Sequence, residues 1–437
     1  MVANTANVQF RVNPGAPLRG EIEVPGDKSL SHRSVMFSAL ANGTSEIRGW
    51  LAAGDTEATL STVQALGVSI IRRDKHTLTV HGGDLREPHK PLNFVNAGTG
   101  IRLMAGIMAG QPFPSVLDGS EQLRRRPMKR ITIPLAMMGA NISGENDRAP
   151  LTVTPAELKG IEYDMPVASG QVKSCVLLAG LYANGTTSVI EPGPARDHTE
   201  LMLKAMGANI QTEGTTVVLE PGNELQPIKI TVPGDFSSAA FLMVAACVVP
   251  DSNITIKHVN LNKTRTGLLN VLLEMGADIT VTETGTEAGE PVGDVQIKHS
   301  ALKGVEVGGE TVVRMIDEFP VMMVAALSAE GRTVVRDARE LRVKETDRLA
   351  VMTQELTKLG ADITETEDGF VIDGPQTLYG APVEGHDDHR IAMATTVAGL
   401  VAQHETTVKD AKCAGDSFPG FAETLISLGA KLVSEDV

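Results

Sequence analysis

Six times along the chain a run with apolar residues at helical spacing ends in glycine and passes into a β-prone stretch. The phrases read TVQALGVSI, PLAMMGANI, LKAMGANI, LLEMGADI, ELTKLGADI and LISLGAKL. Their glycines, Gly67, Gly139, Gly207, Gly276, Gly360 and Gly429, lie 68 to 72 residues apart except for a longer interval between Gly276 and Gly360. A glycine just past a helix takes the left-handed turn that ends it, and branched residues then favour a strand. Turn chemistry follows: Asp368-Gly369 separates ADITETE from FVIDGP, and Glu213-Gly214 separates ANIQT from TTVVLEP. Both read as hairpins. In the long interval GTEAGEPVGD reads as an enlarged hairpin loop. Each unit is therefore expected to run helix, strand, turn, strand.

The sixth unit, ending in AKLVSEDV, lacks room for its second strand, which the N-terminal VQFRV can supply. A second repeat sets Val24-Pro25-Gly26-Asp27 against Val232-Pro233-Gly234-Asp235. Three units lie between these turns and three outside. The pattern predicts an α/β (α+β) fold of two similar domains, each of three repeated β/α units. Residues 23–235 would form an inserted domain. Residues 1–22 and 236–437 would form a discontinuous one, holding the N-terminal strand and units four to six.

Composition narrows the function. The 437 residues are 42% hydrophobic, enough for sizeable cores, but only 3% aromatic, with Trp50 the single tryptophan. Base-stacking platforms are thus scarce, and a net charge of −15 opposes a surface that tracks phosphodiesters; no nucleic-acid partner is expected. Cys175, Cys247 and Cys413 form no CxxC, which fits a reducing compartment. No apolar run reaches spanning length and the first residues carry no targeting pattern, so no membrane partner and a cytoplasmic location are expected.

Against that acidic background, cations gather where turns open helices. In VPGDKSLSHR, Ser29 or Ser31 can cap a helix that Asn42-Gly43 ends, with Ser29 and Arg33 on one face and Lys28 at its mouth. Backbone N–H groups, helix dipole and two cations would then meet an anion, although Asp27 breaks the GK[ST] of a P-loop. NAGTGIR places Gly98 and Gly100 before a small-residue helix, and Leu103 denies it a dinucleotide fingerprint. DGSEQLRRRPMKR packs five cations between Arg124 and Arg130. SGQVKS and PARDHT open apolar helices. In RMIDEFP, Asp317 and Glu318 precede another, as dipole partner or base. LRVKETDRL puts Lys344 and Arg348 on one helical face beside Glu345. GHDDHRI suits no standard zinc spacing, so no metal is expected, and Arg390 opens a helix toward an anion. Helix starts converging on a cleft between two domains would make a positive site in a negative protein.

Taken in order, VPGDKSLSHR, NAGTG-R, RRRPM, SGQVKS, RDHTELM, IDEFP, LRVKETDRL and HDDHR resemble the EPSP synthase family, the 3-phosphoshikimate 1-carboxyvinyltransferases, from about Val24 to Phe421. The resemblance implies an inside-out α/β barrel in each domain, an active site in the interdomain cleft, no cofactor, and a monomer. It implies that the 5-hydroxyl of shikimate 3-phosphate attacks phosphoenolpyruvate, that the methylene carbon is protonated, and that phosphate then leaves. By motif, Lys28, Ser29, Arg33, Ser169, Gln171, Arg196, Asp317 and Lys344 match shikimate 3-phosphate positions. Lys28, Asn96, Gly98, Thr99, Arg126, Gln171, Arg348 and Arg390 match phosphoenolpyruvate positions. Asp317, Glu345 and Lys28 match catalytic ones, Asp317 as base and Glu345 as acid. The residue types suit the task, since guanidinium forks bind carboxylate and phosphate bidentately.

The chain departs from the family pattern twice. Asp416 stands where many relatives carry a Lys in the last loop, with Lys412 four residues earlier, and Gly170 replaces a Ser or Ala. In this family the herbicide glyphosate occupies the phosphoenolpyruvate site, and Gly98 predicts sensitivity to it. Two rival readings are the sister enzyme acting on UDP-N-acetylglucosamine and a non-catalytic anion-binding module. The first usually relies on a loop Cys, absent between Arg124 and Arg130; the second leaves Asp317 and Glu345 without a task.

Overall fold

The computed structural model describes residues 7–437. All six repeat glycines adopt positive φ, from +87° at Gly67 to +107° at Gly429. Each ends a half-buried helix, as the spacing predicts. The repeating unit is larger than helix, strand, turn, strand, however. It runs strand, buried helix, strand, half-buried helix, strand, strand. The second unit shows the plan: Leu92–Asn93, Gly98–Ala109, Ser115–Asp118, Lys129–Met137, Asn141–Gly144 and Leu151–Thr154. Its first two strands pair in parallel and the remaining pairs are antiparallel. The described strands form six separate four-stranded sheets of this kind and no closed barrel.

The inner helices are α1 (Lys28–Leu40), α2 (Gly98–Ala109), α3 (Gly170–Gly180), α4 (Phe236–Val248), α5 (Phe319–Ser328) and α6 (His389–Gly399). Every residue of α4 is buried, as is Phe319–Leu327 of α5. A helix covered on all sides needs apolar or small residues all round, and each Leu, Met or Phe so buried contributes about 1.5–3 kcal/mol. Gly106 allows α2 to lie against α3, because any Cβ there would overlap the Cys175 carbonyl.

By contacts the chain divides into two compact units. One holds residues up to Pro25 together with Gly234–Gly285 and Val292–Val437; the other holds Gly26–Pro233 and Thr286–Pro291. Each has its own apolar core. In the first unit Val8–Asn13 pairs antiparallel with Lys431–Asp436 and with Thr406–Lys409, and Arg19–Glu23 lies parallel to Asn253–Asn260. In the second, Lys229–Thr231 runs parallel to Gly43–Arg48. The GTEAGEPVGD segment is no enlarged loop: strands Asp278–Glu287 and Glu290–Lys298 run through it and turn at Ala288-Gly289. The first of these strands is exposed and polar, while the second is largely buried and pairs with Asn253–Asn260 in the same four-stranded sheet. Among the described residues no helix is long and apolar enough to cross a membrane.

Candidate functional site

In the unit containing Gly26–Pro233, three inner helices present their N-termini. Asp27, not Ser29 or Ser31, caps α1, accepting from the Leu30 N–H at 2.9 Å. The hydroxyl of Ser31 instead accepts from the Leu51 N–H. Lys28, the first helical residue, pairs with Asp55 at 2.5 Å. Ser29 offers its carbonyl to Arg33 Nη1 at 3.0 Å. Arg33 is buried, and its Nε and Nη2 donate to Thr199 Oγ1 (2.8 Å) and Ser174 Oγ (2.9 Å). Burial pushes the Arg33 guanidinium down to about 10, with Glu200 opposing. Arg33 therefore binds the protein's own hydroxyls, which the one-face reading with Ser29 did not reveal. Behind Lys28, His32 is fully buried with Nδ1 2.8 Å from Thr59 Oγ1, and burial pushes it down to about 3.

At the start of α2, Asn96 accepts from Ser120. Gly98 lies under a guanidinium: a Cβ there would stand 2.7 Å from Arg126 Nη1 and 3.0 Å from Arg102 Nη1. Arg102 Nη1 donates to Gln171 Oε1 at 3.0 Å, and Gln171 Nε2 donates to Thr99 Oγ1 at 2.9 Å. Ser169 caps α3. Arg196 packs its backbone and Cβ against Gly170, where an added methyl would come within 3.1 Å of either. The structure thus joins Gly98, Thr99, Arg126 and Gln171 in one contact chain. Sequence reasoning named those four and missed Arg102, whose i+4 spacing from Gly98 was the available signal. Within the arginine run, Arg124 is held by Asp118 at 2.5 Å and Arg125 pairs with Glu121.

In the other unit the charged residues gather around Arg348. Lys344 caps a short 3-10 turn, Arg339–Val343, and Arg348 opens the helix Arg348–Lys358 capped by Asp347. The chain turns between them, so the single helical face expected for Lys344 and Arg348 does not exist. Arg348 is buried. Its Nε and Nη2 reach the two oxygens of Asp388 at 2.9 and 3.2 Å, its Nη1 reaches Asp317 at 3.3 Å, and Nη2 reaches Glu345 at 2.6 Å. Burial disfavours this charge, and Asp388, Glu345 and Asp317 outweigh it, raising the guanidinium above its ordinary value. The same attraction holds the Asp388 carboxyl below its ordinary value against its own burial. Asp388 also caps α6 through the Arg390 N–H at 3.0 Å and accepts from Thr346 at 3.0 Å. Arg390 Nε lies 3.9 Å from Asp317 and has no hydrogen-bond partner.

Asp388 is the other residue sequence reasoning missed, because GHDDHRI draws attention to its histidines. Of these, His386 bonds Glu355 at 2.7 Å. Asp317 and Glu318 precede α5 as expected, and Glu318 is buried, accepting from Ser237. Asp416 lies in the 3-10 segment Ala411–Asp416 with an exposed Lys412. One guanidinium thus holds three carboxylates, Asp388, Asp317 and Glu345, at hydrogen-bond range beside a second guanidinium whose Nε has no hydrogen-bond partner. Such a cluster can bind a carboxylate or phosphate and move protons beside it.

Comparison with known proteins bears on the chemistry. Residues 12–425 match the family model of EPSP synthase (3-phosphoshikimate 1-carboxyvinyltransferase). The 3-phosphoshikimate 1-carboxyvinyltransferase of Citrifermentans bemidjiense is 50% identical over 421 residues, covering 95% of this chain and 98% of that one. Its counterpart from Hydrogenovibrio crunogenus is 49% identical over 442 residues, covering 99% of each. A solved structure of EPSP synthase from Acinetobacter baumannii superposes with a TM-score of 0.89 at 43% identity, covering 98% of this chain and all of that one.

Proposed function

The chain belongs to the EPSP synthase family, and from that premise we propose which of its residues carry the reaction. The reaction is transfer of the enolpyruvyl group from phosphoenolpyruvate to the 5-hydroxyl of shikimate 3-phosphate, a step of the shikimate pathway. Oxygen bonds to the central carbon of phosphoenolpyruvate while the methylene carbon gains a proton. The tetrahedral intermediate then loses that carbon proton as the bond to the phosphate oxygen breaks.

Asp317 takes the hydroxyl proton. It bonds Arg348 Nη1 at 3.3 Å and lies 3.9 Å from Arg390 Nε, among the groups read as holding the substrates. Glu345 protonates the methylene carbon. In the free enzyme Arg348 Nη2 holds it at 2.6 Å. A substrate carboxylate arriving on Arg348 would release Glu345 to take up the proton it delivers. Arg348, Arg390, Arg126 and Lys28 hold the phosphoenolpyruvate anion with Asn96, Gly98, Thr99 and Gln171. Lys28, Ser29, Ser169, Gln171, Arg196 and Lys344 hold shikimate 3-phosphate. Arg33 serves that substrate too, and three of its five N–H donors hold Ser29, Ser174 and Thr199 in place. All of these groups come from one chain, so a monomer suffices. The buried thiols of Cys175, Cys247 and Cys413, which burial pushes up, fit the reducing cytoplasm.

The observation that carries this reading is Arg348 bonding Asp317 and Glu345 at once. The test is phosphate release from shikimate 3-phosphate plus phosphoenolpyruvate. Asp317→Ala should lose turnover by at least about a thousandfold while still binding shikimate 3-phosphate in a calorimeter. Retained turnover would remove Asp317 from the role of base.

A further inference from the structure

Lys173 lies on α3 between two residues read above as substrate contacts or their supports, Gln171 and Ser174, yet its own side chain is 1% exposed. Its Nζ stands 2.7 Å from Glu191 Oε1, 2.6 Å from Glu200 Oε1 and 3.3 Å from the Ala195 carbonyl. The other oxygen of Glu191 accepts from the Ala195 N–H at 2.8 Å. Glu191 follows the strand Thr187–Ile190, and Glu200 lies in the helix His198–Ala205. One ammonium therefore ties both ends of the segment 191–200 to α3, and Arg196 stands inside that segment. The segment is laid against the helix start: the missing Cβ of Gly170 faces Arg196. Arg33 adds a second strap through Thr199 and Ser174.

Three ionisable groups buried together are a poor way to gain stability, because apolar groups of like volume usually do as well or better. They do fix geometry. We propose that Lys173 is a positioning residue for the shikimate 3-phosphate side of the site: it sets the Arg196 guanidinium against Ser169 and Gln171. The proposal rests on the assignment of Arg196 to that substrate.

Removing the ammonium alone leaves Glu191 and Glu200 facing each other without a cation, so a lone Lys173→Met chain can fail to fold. The informative variant is the pair Lys173→Met with Glu200→Leu, which replaces one ion pair by apolar volume. Beside it stand Lys173→Arg and Arg196→Gln. Steady-state phosphate release is measured with each substrate varied in turn, and melting temperatures are recorded. In the pair variant KM for shikimate 3-phosphate should rise about tenfold or more, with KM for phosphoenolpyruvate within about threefold of wild type. Lys173→Arg should recover most of the loss. A pair variant with wild-type KM beside a raised KM in Arg196→Gln would overturn the role of Lys173 alone. So would equal rises in both KM values. Wild-type KM in Arg196→Gln would overturn the assignment of Arg196 itself.

Discussion

Replacing Asp388 by Asn tests whether Arg348 must be held from behind. Each oxygen of Asp388 accepts two bonds: Oδ2 from Arg348 Nε and Thr346, Oδ1 from Arg348 Nη2 and the Arg390 N–H. All four acceptor sites of the carboxylate are in use. An amide keeps the shape but turns one side into a donor. If the NH2 replaces Oδ2 it faces Arg348 Nε; if it replaces Oδ1 it faces Arg348 Nη2 and the N–H of Arg390. Either orientation breaks one bond to a fully buried guanidinium and removes a charge beside it. Hydrogen bonds to charged groups are worth about 1.5–3 kcal/mol, and loss of one partner of a buried pair costs about 3–5 kcal/mol. Asp317 and Glu345 still compensate the guanidinium, so the lower part of that range, about 3 kcal/mol, applies. Arg348 would lean toward those two carboxylates and away from the anion it must bind. At 1.36 kcal/mol per decade, kcat/KM for phosphoenolpyruvate should fall about a hundredfold. The assay is phosphate release at saturating shikimate 3-phosphate with phosphoenolpyruvate varied, plus calorimetry of shikimate 3-phosphate alone, which should change little. A variant that melts earlier but keeps kcat/KM within about threefold of wild type would refute the reasoning, leaving Asp388 a purely structural cap.

Two further changes probe the other unit. Gly98→Ala puts a methyl 2.7 Å from Arg126 Nη1 and 3.1 Å from its Cζ; the flexible arginine end can retreat, so stability should change by under ~1 kcal/mol while KM for phosphoenolpyruvate rises roughly tenfold. Glyphosate inhibition should weaken with it, and an unchanged inhibition constant would count against the placement of Arg126 on that ligand. His32, pushed down to about 3 from 6.5, is neutral in the fold, so below pH 6.5 the unfolded chain binds the extra proton and stability falls as pH drops toward 3. His32→Asn should remove ~2–3 kcal/mol of the loss between pH 6 and pH 4, read from urea midpoints; parallel pH curves for the two proteins would contradict it.

The parts of the fold that could be read along the chain are those that leave a local signature. Half-buried helices show periodicity, and the glycines after them announce a conformation few other residues accept. The inner helices escaped inclusion in the repeat for the opposite reason: FSSAAFLMVAACV is buried on every side, so it carries no polar face to reveal its period. The strand that opens each unit can be as short as Leu92–Asn93, too brief for alternation to register. The candidate site divides the same way. Lys28, Gly98, Arg348 and Arg390 sit at helix starts and stand out by type and place. Asp55, Arg102, Asp388 and Lys173 act through partners up to tens of residues away, such as Arg102 with Gln171 and Arg348 with Asp388. No spacing rule connects such pairs before the chain has folded.

The strand Val8–Asn13 lies between Thr406–Lys409 and Lys431–Asp436 in its sheet. A strand made early is therefore flanked by two made about 400 residues later. At roughly 5–20 residues per second, Phe10 and Val12 would wait about 20–80 seconds for the partners that bury them. Every sheet of the unit holding Gly26–Pro233, in contrast, is complete once Thr231 has been made. Synthesis thus imposes an order of assembly: the sheets of one unit can close early, while the unit that carries Asp317, Glu345 and Arg348 stays unfinished until Lys431–Asp436 has been made.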